Sequence, residues 1–132
     1  MGVAGWDYPD WAGKVYPTGR AGVDRLRWTA ARFDLLEVNS TFYRPPSERV
    51  ARRWLERVED RPDLRFAAKM YRGLTHDRGP WRESDVEAVR RGMTPLLEAG
   101  RLVSLVVQFP WSFRNRPECR RRLARIVEAF PE

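Results

Sequence analysis

Four short apolar segments alternate with four helix-patterned segments along these 132 residues, and this order restricts the fold more than any single motif does. The strand candidates are residues 2–6, 35–40, 64–70 and 102–109. After the first comes a long Gly/Pro loop and then a helical pattern over 24–33, in which Leu26, Ala30 and Phe33 recur at helical spacing. Pro45 and Pro46 end extended structure after the second strand, and Ser47 is placed to cap a helix whose Val50, Trp54 and Val58 form an apolar stripe. Ser84 and Glu87 stand at capping-box spacing before Val86, Val89 and Met93. Gly92 and Thr94-Pro95 predict a break in that helix, and Gly100 closes it. The run 102–109 has the composition of a strand buried on both faces of a parallel sheet. A last helix starts near 115–117 and carries Leu123, Ile126, Val127 and Phe130 on one side.

Strand–helix alternation repeated four times predicts parallel strands joined by right-handed crossovers, an α/β fold in one domain over residues 1–132. The 42% hydrophobic and 33% charged residues are the balance of a globular chain rather than a disordered one. The longest nearly apolar stretch, 102–110, is broken by Ser104 and Gln108 and falls far short of the ~18 residues a membrane helix needs. No charged stub followed by an apolar run and a cleavage site opens the chain. A single cysteine, Cys119, forms no internal disulfide, which fits a reducing cytoplasm. The net charge of +7 permits a nucleic-acid partner without establishing one. Runs such as Arg120-Arg121-Arg122 read first as solvated helix faces.

Side chains alternate across a strand, so Glu37 and Asn39 share one face of the second strand and leave Leu36 and Val38 for the helix side. The same parity groups Ala67 with Lys69 and Val106 with Gln108. A carboxylate, an amine and two amides are thereby expected at the carboxyl ends of parallel strands, where α/β sheets bind ligands. Lys14 and Lys69 are the only lysines in a chain that otherwise uses arginine, and lysine, unlike arginine, can be tuned to act as base or nucleophile. Glu37 and Lys69 therefore read either as ligand contacts or as a structural ion pair between neighbouring strands.

Aromatic residues concentrate after the strands, among them Trp6, Tyr8, Phe42, Tyr43 and Trp111, a rim suited to a flat or ring-shaped ligand or simply to packing long loops. His76, the only histidine, stands beside Asp77 and reads as an acid/base or ligand contact; one imidazole is a weak metal signal, and no metal site is assigned. Arg44 and Arg72, just past two strands, are candidate anion clamps. No catalytic-triad spacing, phosphate-cradling glycine loop or dinucleotide fingerprint is present, and the cofactor stays unknown at this point.

The blocks Gly5-Trp6-Asp7-Tyr8-Pro9-Asp10-Trp11, Glu37-Val38-Asn39-Ser40-Thr41-Phe42-Tyr43-Arg44, Phe66-Ala67-Ala68-Lys69 with Thr75-His76, and Gln108-Phe109-Pro110-Trp111-Ser112-Phe113 resemble, in order and spacing, the domain of unknown function 72 family, the YecE-like proteins. The resemblance implies a TIM-type (β/α) barrel without an established activity. It carries the family's motifs onto Trp6, Tyr8, Glu37, Asn39, Phe42, Tyr43, Lys69, His76 and Gln108.

A full barrel takes about 250 residues. Four strand–helix units make this chain read as the N-terminal half of a barrel, truncated, with open edges that self-association or a partner would close. Two functions are expected from these readings. The first is a soluble enzyme acting on a small polar, anionic or sugar-like ligand, with Glu37, Lys69 and His76 catalytic and Trp6, Tyr8, Asn39, Phe42, Tyr43, Arg44, Gln108 and Trp111 binding. The alternative is a nucleic-acid-binding module that uses the basic surface and the aromatic rim.

Overall fold

The computed structural model describes residues 1–17, 22–77 and 79–131. Four strands, β1 (Gly2–Ala4), β2 (Leu35–Val38), β3 (Arg65–Lys69) and β4 (Leu102–Val106), form one sheet in the order β1-β2-β3-β4, and every pairing is parallel. The connecting helices are α1 (Arg25–Ala30), α2 (Glu48–Arg57), a single turn α3 (Arg72–Thr75) and α4 (Glu83–Glu98), and α5 (Pro117–Ala129) follows β4. The loop after β1 contains a 3-10 turn, Pro9–Trp11, and its residues 18–21 lie outside the described residues.

One apolar core joins Leu26 of α1, Ala51 and Trp54 of α2, Val86, Val89 and Met93 of α4 and Ile126 of α5 to Leu36, Val38, Phe66 and Ala68 of the sheet. The long helices therefore share one face of the sheet. On the opposite face, the registers align Ala4, Glu37, Ala67 and Ser104 in one row across all four strands. Lys69 and Val106 pair one step further toward the carboxyl ends. Among the described residues, no helix is long and apolar enough to cross a membrane.

Local chemistry explains where the elements depart from the sequence pattern. The second strand stops at Val38, short of Ser40, because Asn39–Phe42 turns into a 3-10 segment. Thr41 drives that turn: its buried hydroxyl lies 2.7 Å from the Val38 carbonyl and 2.6 Å from the Lys69 carbonyl, and shares one proton between two strand ends. Ser47 occupies the N-cap of α2 without a side-chain cap bond, and the inward stripe runs through Ala51, Trp54 and Val58, leaving Val50 exposed.

The expected capping box does not form, since α4 begins at Glu83 with Arg82 at its N-cap and Ser84 already inside the first turn. Nor does α4 break: Pro95 lies within a continuous 16-residue helix. Gly92 is required by contact, because a Cβ there would come within 2.3 Å of the Pro46 carbonyl oxygen. Gly100 closes the helix as expected, with φ +63° and its N–H bonded to the Leu97 carbonyl at 2.8 Å.

β4 is not buried on both faces. A register shift opposite Phe66 and Ala67 leaves Val103 as an extra, exposed residue. Of the stripe expected on the last helix, Ile126 is buried whereas Leu123 and Val127 remain exposed. Arg101, just before β4, is buried and donates to the carbonyls of Leu64 and Arg61 at 2.9 and 2.6 Å, which ties the entrance of β3 to that of β4.

Candidate functional site

The loop leaving β1 is shaped by its aromatics. Tyr8 reaches back to donate to the Ala4 carbonyl at 2.6 Å, and buried Tyr16 donates to the carbonyl of Trp6. Burial pushes the Tyr16 phenol above its ordinary value, so it stays a donor. Trp6 meets Trp54 of α2 edge to face, with ring centroids 6.0 Å apart.

Asn39, the first residue past β2, donates through Nδ2 to the Tyr8 hydroxyl at 3.2 Å. That hydroxyl has one proton, already committed to Ala4, so it accepts from Asn39 and thereby orients the amide. Asn39 Oδ1 is left buried with no hydrogen-bond partner, the one such side-chain atom among the described residues. Trp6, Asp7, Tyr8, Asn39, Ser40 and Trp54 line a cavity of about 360 Å³ at this point.

On the open face of the sheet, Glu37 and Lys69 are half-buried and project from neighbouring strands one row apart. Neither joins any of the ion pairs among the described residues. Lys69 Nζ instead stands 5.9 Å from the ring centroid of Phe42. Phe42 packs edge-on against both Tyr43 and His76, at 5.1 and 4.9 Å. His76 Nδ1 lies 2.9 Å from the Thr75 hydroxyl.

Lys69, Phe42 and His76 thus form one continuous cluster at the carboxyl ends of β2 and β3. A second cavity, of about 420 Å³, lies beyond His76 and is lined also by Ser112, Phe113, Arg116, Cys119 and Arg122. Among the described residues, no three His, Cys, Asp or Glu side chains converge as a metal site would need.

The other expected residues are dispersed. Tyr43, Arg44, Gln108 and Trp111 are exposed and, like Glu37, Phe42 and Lys69, line neither cavity. Arg72 lies 3.6 Å from Asp77 and is partly engaged there. Trp54 carried a sequence signal as a member of an apolar stripe, which concealed that it also lines a cavity. Cys119 stood out in the sequence only as a lone thiol and Arg122 only as part of a charge run, and neither reading, nor any at Arg116, pointed to His76, because what places the three beside it is the docking of α5.

The family model described as "Protein of unknown function DUF72" matches residues 1–132. The chain is 29% identical over 124 residues to UPF0759 protein YunF of Bacillus subtilis, a match covering 89% of this chain and 42% of that protein. It is 30% identical over 118 residues to UPF0759 protein YecE of Escherichia coli, covering 88% of this chain and 39% of that one. Among solved structures, it superposes on a DUF72 family protein of Thermotoga maritima with a TM-score of 0.76 at 29% identity, covering 100% of this chain and 53% of that chain. A DUF72 family protein of Enterococcus faecalis shares the fold at a TM-score of 0.79 and 24% identity, with 99% and 46% covered. The chain therefore spans less than half the length of these curated relatives and about half that of the solved ones.

Proposed function

The chain belongs to the DUF72 family, and from that premise we propose that residues 1–132 are four of the eight strand–helix units of a (β/α)8 barrel that binds and transforms a small polar ligand. Two features support a barrel over a doubly wound sheet. The strand order runs 1-2-3-4 without the reversal a doubly wound sheet needs, and one core gathers all the long helices on a single face.

The site is the carboxyl rim of β1 to β3. The observation that carries this reading is Asn39 Oδ1, a buried acceptor without a partner beside Trp6, Tyr8 and Trp54. Leaving such an atom unsatisfied costs about 1–3 kcal/mol, which a ligand hydroxyl or N–H recovers. Aromatic walls with hydrogen-bonding groups between them suit a sugar-like ligand. Glu37 is the acid/base, Lys69 the electrostatic stabiliser or nucleophile on the same face, and His76 a second acid/base next to Phe42. Phe42 and Tyr43 wall this end of the site, and Arg44, Gln108 and Trp111 form its outer rim.

Thermal-shift titration of the chain with glucose, glucose 6-phosphate and citrate tests the assignment. A saturable stabilisation by at least one of them, weakened about tenfold by Asn39→Ala, is expected. Binding unaltered by Asn39→Ala, or by Glu37→Gln together with Lys69→Met, overturns it.

A second reading draws on Trp111, which is 85% exposed with the Arg114 guanidinium 5.6 Å from its ring centroid. An exposed aromatic face paired with a cation stacks on bases of a single strand. Retention on a polyanion column that falls steeply with salt and depends on Arg44, Arg72 and Trp111 supports this reading, and no retention at moderate salt removes it.

A further inference from the structure

His76 is the only histidine of the chain, and one of its two ring nitrogens is already engaged. Nδ1 lies 2.9 Å from the hydroxyl of Thr75. Between a hydroxyl and an imidazole nitrogen either atom can be the donor, and the surroundings decide which one is.

Those surroundings are set by the turn after β3. Thr75 is 2% exposed, so its hydroxyl depends on protein partners. The nearby backbone carbonyls serve backbone N–H groups: Tyr71 accepts from Leu74 at 3.0 Å, and Arg72 accepts from His76 and Asp77 at 2.7 and 3.1 Å. Among the described residues, His76 Nδ1 is the one hydrogen-bond partner of Thr75 Oγ1. If Nδ1 carries a proton, it donates to Oγ1, and the proton of the Thr75 hydroxyl is left buried with no acceptor. If Nδ1 is bare, the hydroxyl donates to it and nothing is left over. Both arrangements make the same contact and only the first strands a buried donor, so the second is the stable one.

The proton of the neutral ring then sits on Nε2. That nitrogen has no hydrogen-bond partner among the described residues, and it is not sealed off, since Asn39 Oδ1 is the one side-chain atom there that is both buried and unpartnered. The ring lines the cavity of about 420 Å³, and Phe42 steadies it edge to face at 4.9 Å between centroids.

We propose that Thr75 is a positioning residue that fixes His76 as a hydrogen-bond donor through Nε2. This role rests on the site reading above and narrows it. Nε2–H hydrogen-bonds an oxygen of the ligand and keeps its proton, while proton abstraction falls to Glu37. The ligand group that meets His76 is therefore an acceptor oxygen, as in a carbonyl, carboxylate or phosphoryl group.

A long-range ¹H–¹⁵N correlation spectrum of the chain shows a single imidazole. At about pH 8, above the ordinary imidazole value near 6.5, it identifies the tautomer directly. The Nε2–H form alone is expected. Thr75→Val keeps the shape without the hydroxyl and is expected to admit the Nδ1–H form beside it, and Thr75→Ser to restore the single form. A parent ring protonated on Nδ1 overturns the proposal, and so does a Thr75→Val spectrum equal to the parent's. The Thr75 hydroxyl proton gives a readout that needs no variant: a slowly exchanging resonance correlated with Nδ1 is expected, and free exchange with water overturns the proposal.

Binding is read separately. Whichever of glucose, glucose 6-phosphate and citrate stabilises the chain is expected to move the Nε2–H signal, and to bind about threefold more weakly to Thr75→Val and with parental strength to Thr75→Ser. An Nδ1–H ring together with Asn39-dependent stabilisation removes the role of Thr75 and leaves the site reading standing. An Nε2–H ring fixed by Thr75, with no Asn39-dependent stabilisation, does the reverse.

Discussion

The amide of Asn39 and the hydroxyl of Tyr8 are locked in one direction: Nδ2 donates at 3.2 Å to an oxygen whose proton is spent on the Ala4 carbonyl at 2.6 Å. This relay spans 31 residues of sequence and holds the loop after β1 against the turn after β2. Tyr8→Phe deletes both bonds and keeps the ring. A loss of about 1–2 kcal/mol in urea unfolding is expected, together with a weaker ligand response, because the Asn39 amide is then free to rotate. A variant as stable as the parent and equal to it in ligand response would show that the relay orients nothing.

Asp24 serves two elements at once. It accepts from the Arg27 N–H at 3.1 Å as the N-cap of α1, and it receives the Arg57 fork at 2.9 and 2.5 Å from the end of α2. The Arg57 bonds, with the Arg27 N–H beside them, hold its carboxyl below the usual range. A lowered folded value means that the unfolded chain takes up the proton first. The stabilisation is therefore complete above the ordinary value of 3.8 and is lost as pH falls through the folded value. Urea midpoints between about pH 5 and pH 2 should fall less steeply for Asp24→Asn than for the parent chain. Asp24→Ala should cost about 1 kcal/mol at neutral pH through loss of the cap.

Gly92 poses a contest between helix propensity and packing. Alanine is favoured over glycine inside a helix by about 1 kcal/mol. Its Cβ, however, would come within 2.3 Å of the Pro46 carbonyl oxygen, a backbone atom that cannot rotate away. Overpacking of this kind costs about 1–3 kcal/mol, so Gly92→Ala is expected to lower the melting temperature. A gain in stability would mean that the segment carrying Pro46 yields freely.

What was legible in the sequence follows from which forces are local. The two-residue period of a strand sufficed to put Glu37 and Lys69 on one face, and the strand registers agree with that parity. Gly100 ends α4 through its own φ and near neighbours, and it too could be read in advance. The early end of β2 could not, because the Lys69 carbonyl that Thr41 binds is 28 residues away. Gly92 and Pro95 predict a break when the sequence is taken alone because their reasons are tertiary: the chain at Pro46 presses on one, and the other is buried within a packed helix. Leu123, Val127 and Val103 have the composition of core residues, yet nothing among the described residues covers them. The cavity beyond His76 needs residues from α3, the loop after β4 and α5, which no local pattern joins.

Glu37 and Lys69 supply the test that separates chemistry from structure. A buried ion pair broken by removal of one partner costs about 3–5 kcal/mol, and its two residues couple in a double-mutant cycle. Here both side chains are half-buried, they share a face, and neither takes part in an ion pair among the described residues, while Lys69 lies near the Phe42 ring. Glu37→Gln and Lys69→Met are each expected to change unfolding free energy by less than about 1 kcal/mol, with coupling below about 0.5 kcal/mol. Ligand response should be lost in both. Coupling of several kcal/mol, with ligand response intact, would make the two residues a structural bridge and withdraw Glu37 as the acid/base.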